Sequence, residues 1–214
     1  MKNTQIQRLL HPPKLHVESA YKRRRIILAS GSKARQKLLK QMGLKFMVSR
    51  SSLRECHALS GSASRLVMKN AMDKACDVAK RRRSGIVIGA DTLVLVGNKV
   101  IGKPRNLKDA HRTLKLLSRK PQWVYSGLAL IDIDNKKRYL DYEKTKVYMY
   151  KLSDKDIRNY FKKVSPLDKA GSFDIQGMGG IFIDRIEGCF YSVVGLPLAK
   201  LAVMLRRSGV DLFE

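Results

Sequence analysis

The sequence predicts an α/β domain, because short apolar runs typical of buried strands alternate with longer amphipathic segments typical of helices. Residues 26–29 and 86–88 are such strand-like runs, and residues 33–42 carry the first helical pattern. Of the 214 residues, 44% are hydrophobic and 29% are charged, so the chain can bury a core as one domain or as two small lobes.

The N-terminal part of the chain lacks a sustained apolar period, and Pro12-Pro13 interrupts any helix that starts there. It is also rich in lysine and arginine. We therefore expect residues 1–24 to form a basic extension, flexible or loosely docked, in front of a domain that spans residues 25–214.

The first strand leads into Ser30-Gly31-Ser32, and Ser32 suits the N-cap of the helix that follows. Gly43 suits the position that ends this helix. Unpaired N–H groups at a helix N-terminus bind anions, and Arg35 in the first turn is within reach of the same anion. Because a basic residue there opposes the helix dipole, a bound phosphate would explain its position.

The remaining elements continue the alternation of strands and helices. We predict strands at residues 45–48, 123–133, 138–152 and 181–186, and helices at residues 62–83, from the cap Asn106, from the cap Ser153 and at residues 196–207. Lys74 lies on the flank of the apolar stripe of the helix at residues 62–83. Such a lysine is more often a snorkelling side chain, and the alternative is a charge directed toward an acidic ligand.

The most unusual position is Asp91, inside the apolar segment at residues 86–96. A buried carboxylate costs free energy unless a hydrogen bond or a cation compensates it. Gly97-Asn98 predicts a hairpin turn, after which Lys103 can return close to Asp91. The alternative is a structural aspartate at a strand end, paired with a nearby backbone group or lysine.

Residues 168–180 form a glycine-rich stretch with one amide, Gln176, among small and apolar neighbours. Glycines let a backbone approach a ligand closely. An amide presents a donor and an acceptor together, which suits the edge of a nucleobase. An ordinary turn-rich connection is the alternative.

The formal charge of +26 favours polyanionic partners such as nucleotides, nucleic acid or anionic lipid surfaces, without choosing among them. No run approaches the roughly 18 apolar residues of a membrane span. No apolar signal segment follows the basic N-terminus either, so we expect no membrane anchor. Cys56, Cys76 and Cys189 form no CxxC pair, which argues against a disulfide framework or structural zinc and for a reducing cytoplasm.

Five stretches, taken in chain order, resemble the Maf family of nucleoside triphosphate pyrophosphatases. They are ILASGSKARQKLLKQMG at residues 27–43, GADTLVLVGNKVIGKP at 89–104, KTKV at 144–147, LDKAGSFDIQGMGG at 167–180 and YSVVGLPLAKL at 191–201. The resemblance implies a mixed-sheet α/β fold of two lobes around a cleft, similar to that of inosine triphosphate pyrophosphatases. It also implies hydrolysis of a nucleoside triphosphate between the α and β phosphates, with a divalent cation (Mg²⁺ or Mn²⁺), in a homodimer.

The resemblance assigns roles to the polar residues that the pattern singles out. Asp91 matches the family's proposed proton acceptor. The other polar cleft residues are Glu55 and Lys103, assigned to catalysis, and Ser30, Arg35 and Lys74, assigned to substrate binding. The cations would hold phosphate oxygens. Glu55 and Asp91 would share the metal ion, and which of them acts as the base stays open.

The resemblance also implies that three positions determine which nucleobase the site accepts. Ile175-Gln176-Gly177 resembles the branch that acts on dTTP and UTP, in which an amide pairs with the O4 and N3–H edge of uracil or thymine. Thr92 matches a second specificity position. Ala34 stands where the family usually has an arginine, so the base preference would be broader or shifted.

Two other functions stay open on sequence alone. The charge of +26 suits a nucleic-acid-binding protein, although no recognised DNA or RNA module is present and nucleic acid is not expected as a substrate. The second is a non-catalytic role in septum formation, against which the retained polar cleft residues argue.

Overall fold

A seven-stranded mixed β-sheet forms the centre of the protein, with helices packed on both faces. The computed structural model describes residues 24–53, 61–167 and 169–213. Its strands are β1 (Ile26–Leu28), β2 (Phe46–Val48), β3 (Ile86–Val96), β4 (Lys99–Ile101), β5 (Gln122–Asp132), β6 (Lys137–Met149) and β7 (Ile183–Glu187). Its helices are α1 (Lys33–Gln41), α2 (Ala63–Ala79), α3 (Leu107–Leu117), α4 (Asp154–Lys163), α5 (Phe190–Val194) and α6 (Leu198–Arg207). Two 3₁₀ turns cover Ala170–Ser172 and Met178–Phe182.

The strands are arranged in the order β2-β1-β3-β5-β6-β7, with β4 paired to the end of β3. β1 is parallel to β2 and β3, whereas β3, β5, β6 and β7 are antiparallel to one another. On the side of β3 away from β5, residues 86–88 pair with β1 and residues 94–96 pair with β4. Between these pairings, residues 89–93 have no strand neighbour on that side within the described chain, and Asp91 lies in the middle of this opening.

Alternate residues of the sheet face two different helical layers. On one face, Ile88 and Leu130 belong to an apolar cluster with α1 and α6. On the other face, Val87 belongs to a cluster with α2. Since side chains alternate along a strand, Asp91 points to the α2 face and Thr92 points to the opposite face.

A further apolar cluster joins α3, α4 and the second 3₁₀ turn through Leu114, Ile157, Tyr160 and Phe182. We call this group the second lobe, and the group formed by α1, α2 and α6 on β1 and β3 the first lobe. The mixed α/β fold with two lobes that the sequence predicts is therefore confirmed.

The observed elements differ from the predicted ones mainly at their ends. The helix predicted at residues 62–83 ends at Ala79, because the basic run at residues 80–83 has no apolar stripe left to bury. The helix predicted at residues 196–207 begins after the N-cap Pro197, and the short α5 before it was not predicted. Among the described residues, no helix is both long and apolar enough to cross a membrane.

Arg24 ties the start of the domain to the turn between β5 and β6. Its guanidinium donates to both carboxylate oxygens of Asp132, to Asp134 at 2.7 Å and to the carbonyl oxygen of Ser208 at 2.8 Å. Burial alone would raise the pKa of Asp132, but hydrogen bonds from Arg24 and Asn135, together with the charge of Arg24, outweigh it and lower that pKa. Arg24 thus belongs to the ordered domain, whereas the rest of the predicted extension lies outside the described residues.

Replacing Asp132 with asparagine should lower the free energy of unfolding by about 3 kcal/mol near neutral pH, because Arg24 loses its buried counter-charge. A carboxyl whose pKa is lowered by folding stabilises the protein above its ordinary pKa of 3.8, and this contribution is lost as the pH falls through the folded value. The difference between the wild type and Asp132→Asn should therefore shrink below about pH 4 in urea unfolding. A difference that stays constant at acidic pH would contradict the prediction.

Candidate functional site

The candidate site is built around the carboxylate of Asp91, which is 5% exposed on β3. Its Oδ1 accepts a hydrogen bond from Nζ of Lys74 at 2.6 Å, and its Oδ2 accepts one from Nδ2 of Asn70 at 2.9 Å. Lys74 is buried as well and also donates to the carbonyl oxygen of Ala90. The buried negative charge is thus balanced by a buried positive charge, without which it would strongly destabilise the fold.

Helix α2 reaches Asp91 because it lies very close to the sheet. A Cβ added at Gly89 or at Gly127 would overlap backbone atoms of α2, and Gly127 is the cross-strand partner of Asp91 on β5. Asn70 and Lys74 are one helical turn apart, so both side chains approach the carboxylate from the same face of the helix. The two glycines therefore let α2 approach the sheet closely enough for Asn70 and Lys74 to hydrogen-bond to Asp91.

The cation beside Asp91 is Lys74, and the expectation that Lys103 returns to this carboxylate is wrong. The predicted hairpin forms, with Val96 opposite Lys99. Lys103, however, is exposed in the segment after β4 and makes no hydrogen bond or ion pair with Asp91. It lies on a separate cavity of about 410 Å³, whose lining also includes three further cations, Lys99, Arg105 and Arg112.

Asn70 is a site residue that the sequence pattern does not single out. One polar residue within the apolar stripe of a helix is uninformative by itself. The signal that could have identified it is its spacing, because Asn70 precedes Lys74 by four residues and therefore shares its face. Two polar residues at this spacing on a buried face indicate a common polar partner.

Arg35 connects the first strand, the central strand and the C-terminal helices. Its guanidinium donates to Oγ of Ser30 at 3.1 Å, to Oγ1 of Thr92 at 3.1 Å and to the carbonyl oxygen of Gly195 at 2.8 Å. The backbone N–H of Arg35 donates to the predicted N-cap Ser32. These protein acceptors help to hold Arg35 in a helical turn where its charge opposes the helix dipole.

A cavity of about 250 Å³ opens on the Thr92 face of the sheet, between the two lobes. All three residues predicted to determine specificity line it, namely Ala34, Thr92 and Gln176. The lining also includes Gln122, Val124, Lys169, Phe173, Asp174 and Val194. Apolar walls with a few amide and charged groups are typical of a site for a small organic ligand such as a nucleobase.

The backbone of Gln176 is held by a tight turn. Oδ1 of Asp174 accepts a hydrogen bond from the N–H of Gln176 at 2.9 Å, and the N–H of Asp174 donates to the hydroxyl of Tyr160 at 3.3 Å. A Cβ at Gly179 would come within 2.7 Å of the carbonyl oxygen of Asp174, so only glycine fits there. In the described part of the chain, the side-chain amide of Gln176 makes no hydrogen bond.

The metal site implied by the resemblance is only partly described. Glu55 lies outside the described residues. Within residues 24–53, 61–167 and 169–213, no group of three or more His, Cys, Asp or Glu side chains could hold a metal ion. Mg²⁺ at phosphate-processing sites usually takes one or two carboxylates and completes its shell with substrate oxygens and water. Of the two carboxylates that the resemblance implies as ligands, Asp91 is the one within the described residues.

The comparisons of sequence show the family of this chain. The family model described as "Maf-like protein" matches residues 25–208. A dTTP/UTP pyrophosphatase from Methanosarcina barkeri is 43% identical over 192 residues, covering 89% of this chain and 98% of the relative. One from Desulforamulus reducens is 45% identical over 189 residues, covering 88% and 99%. The solved structure of the Staphylococcus aureus Ham1 protein is 15% identical, with a TM-score of 0.43, over 59% of this chain and 72% of that one.

Replacing Lys74 with methionine should lower the free energy of unfolding by about 3–5 kcal/mol, because Asp91 becomes an uncompensated buried charge. Adding Asp91→Asn to that variant should recover most of the loss, since the second charge is then removed too. Urea unfolding of both variants measures these changes.

The matched control is Lys200→Met. Lys200 pairs with Asp141 at 2.9 Å, but both side chains are partly exposed. Its loss should therefore cost about 1 kcal/mol or less. If both lysine substitutions lowered the free energy of unfolding equally, burial of the Lys74–Asp91 pair would contribute nothing to stability.

Proposed function

The chain belongs to the Maf-like protein family, and we propose that it hydrolyses dTTP and UTP to the nucleoside monophosphate and pyrophosphate. The activity named for the curated relatives and the geometry of the site support the same reaction. The observation that carries the proposal is the buried Asp91, held by Lys74 and Asn70, directly before Thr92, which lines a cavity together with Gln176.

The proposed route between the cavity and the carboxylate passes residues 89–93 of β3, which have no strand neighbour on one side within the described chain. The base enters the cavity on the Thr92 face, and the triphosphate passes residues 89–93 to reach Asp91 on the α2 face. This route needs the strand edge that the pairings of β1 and β4 leave uncovered. It places the α phosphate, the group nearest the ribose, closest to the centre of the sheet.

Asp91 acts as the general base in this scheme. With Lys74 on one carboxylate oxygen and Asn70 on the other, the carboxylate has a fixed orientation and still offers lone pairs to a water molecule. Asp91 takes a proton from that water as its oxygen bonds to the α phosphorus. The bond from the α phosphorus to the bridging oxygen breaks, and pyrophosphate leaves with the electron pair.

The cations of the site stabilise the charge that develops on the phosphates. Phosphoryl transfer depends mostly on positioning and on neutralising negative charge, with little covalent participation by the protein. Arg35, Lys74 and Lys103 are proposed to hold phosphate oxygens, and the hydroxyl of Ser30 lies beside Arg35 to donate to the same group. Lys103 approaches from its exposed segment, so its contact is with the substrate and not with Asp91.

A divalent cation, Mg²⁺ or Mn²⁺, completes the proposed site, with Asp91 and Glu55 as its protein ligands. When bound, it would supply further neutralisation of the phosphate oxygens. Cytoplasmic location and a homodimer are part of the same proposal; the first follows from the lack of a CxxC pair, and the second comes from the family resemblance. The charge of +26 would help to attract the polyanionic substrate.

Gln176 is proposed to select the base. Its amide oxygen accepts from N3–H of uracil or thymine while its amide nitrogen donates to O4, and cytosine presents the opposite polarity at these positions. Thr92 lines the same cavity. Ala34 leaves space where the family usually has an arginine, so other or modified nucleotides are the alternative substrates.

Pyrophosphate release from a panel of canonical and modified nucleoside triphosphates, with Mg²⁺ or Mn²⁺, tests the proposal. UTP or dTTP should release pyrophosphate, and Asp91→Asn should lower the rate by about 100-fold or more, because general-base catalysis is lost. Asp141→Asn, a change to a surface carboxylate, should leave the rate unchanged. Pyrophosphate release only from nucleotides with another base would support the reaction and indicate that Ala34 changes the base preference. Lack of release from any nucleotide would refute the proposed enzymatic activity.

Replacing Asn70 with leucine should lower kcat by about tenfold or more with little change in KM, because Asp91 loses a hydrogen bond to its charged form and its fixed orientation. Steady-state kinetics with UTP measures both constants. Asn135→Leu is the matched control, since Asn135 also donates to a buried carboxylate, that of Asp132, but far along β5 from the site. A fall in kcat of the same size in both variants would mean that Asn70 acts only through stability.

A further inference from the structure

We infer that Gln122 is a second base-recognition residue, whose side-chain amide donates a hydrogen bond to a ring carbonyl of the nucleobase. The inference rests on the proposed function and adds a residue that the family resemblance does not assign. It concerns the cavity of about 250 Å³, whose lining includes Gln122.

Gln122 combines deep burial with an unsatisfied donor. It is the first residue of β5 and is 1% exposed. Its Nε2 has no hydrogen-bond partner, and it is one of three buried side-chain atoms in the described chain of which this is true. The other two are the hydroxyl oxygens of Ser172 and Ser208. A primary amide has two N–H groups to satisfy, so it loses more by burial than a hydroxyl does.

The surroundings of Gln122 do not explain a polar residue at this position. Its cross-strand partner is Val147, and the next residue on its face of β5 is Val124, both of which are buried. An apolar side chain here would avoid the free-energy cost of an unpaired amide. Gln122 lines the same cavity as Gln176 and Thr92, so a ligand there would satisfy Nε2 once the terminal amide turns this atom toward the cavity.

The chemistry of the two amides matches a pyrimidine with two carbonyls. Uracil and thymine each carry two ring carbonyl oxygens, O2 and O4, on either side of N3–H. The amide of Gln176 can pair with N3–H and one carbonyl, which leaves the other carbonyl without a donor. The N–H groups of Gln122, turned toward the cavity, would supply that donor.

The test compares the binding of UMP with the stability of the ligand-free protein. Gln122→Met keeps the volume and removes the amide, so it should weaken UMP binding by about tenfold in calorimetry. The same change should raise the melting temperature of the ligand-free protein by about 3 °C, because an unsatisfied buried donor is removed. A residue with a purely structural role would not show these opposite effects.

Ser208→Ala is the matched control. It also removes a buried unsatisfied group, at the end of α6 and away from the cavity. It should raise the melting temperature and leave the affinity for UMP unchanged. If Gln122→Met and Ser208→Ala behaved alike in binding, Gln122 would have no role in recognition.

Two analogues identify the carbonyl. Replacing O2 or O4 with sulfur gives 2-thio-UMP and 4-thio-UMP, in which one oxygen acceptor becomes a much weaker one. With the analogue altered at the contacted position, the wild type should bind about tenfold more weakly, and Gln122→Met should cause no further loss. If Gln122→Met weakened UMP and both analogues by the same factor, no carbonyl contact would exist.

The outcomes separate this inference from the proposed function. If the protein binds UMP but releases pyrophosphate from no nucleotide, the proposed enzymatic activity is refuted. The UMP affinities of the wild type and Gln122→Met would still decide the role of Gln122. Equal UMP affinity in the wild type and Gln122→Met would overturn the inference, even where UTP is hydrolysed. Failure of the wild type to bind UMP would also overturn the inference about Gln122. The panel of nucleoside triphosphates would then show whether nucleotides with other bases are hydrolysed.

Discussion

A carboxylate buried in the middle of a β-sheet constrains much of this structure. Asp91 is tolerated there because Lys74 and Asn70 occupy its two oxygens, and both come from one turn of α2. The helix reaches them only because Gly89 and Gly127 present no side chain beneath it. Three elements, α2, β3 and β5, are thus fitted to one another around a single charge, and a shift in any of them moves the proposed reactive group.

Local features of the fold follow from local sequence. Ser32, Asn106 and Ser153 cap their helices as predicted, each by accepting a backbone N–H, and Gly97 adopts the positive φ of the hairpin turn. Capping and turn formation depend on a few neighbouring residues, so the pattern suffices. The end of α2 is different, because the residues at 80–83 are good helix formers and only the lack of a surface to cover ends the helix before them.

Less of the site can be predicted, because packing selects its partners. Lys74 and Lys103 are equally good counter-charges for Asp91 on sequence alone, and the choice depends on how closely α2 docks on the sheet. Gln122 resembles an ordinary first residue of a strand until its burial is known. The motif resemblance does bring Ala34, Thr92 and Gln176 to one cavity, since motifs that are far apart in the chain can converge on a common ligand.

The edge of β3 without a strand neighbour, at residues 89–93, also links the proposed ligand binding to the stability of the fold. A nucleotide that runs from the cavity to Asp91 touches the sheet from both faces, so it contacts α1 on one side and α2 on the other. Its base also meets the glycine-rich segment of the second lobe. Such a ligand would bridge α1 and α2, which lie on opposite faces of the sheet. In the proposed binding mode, a bound nucleotide would stabilise both lobes together, so the free energy of unfolding would rise with the nucleotide concentration.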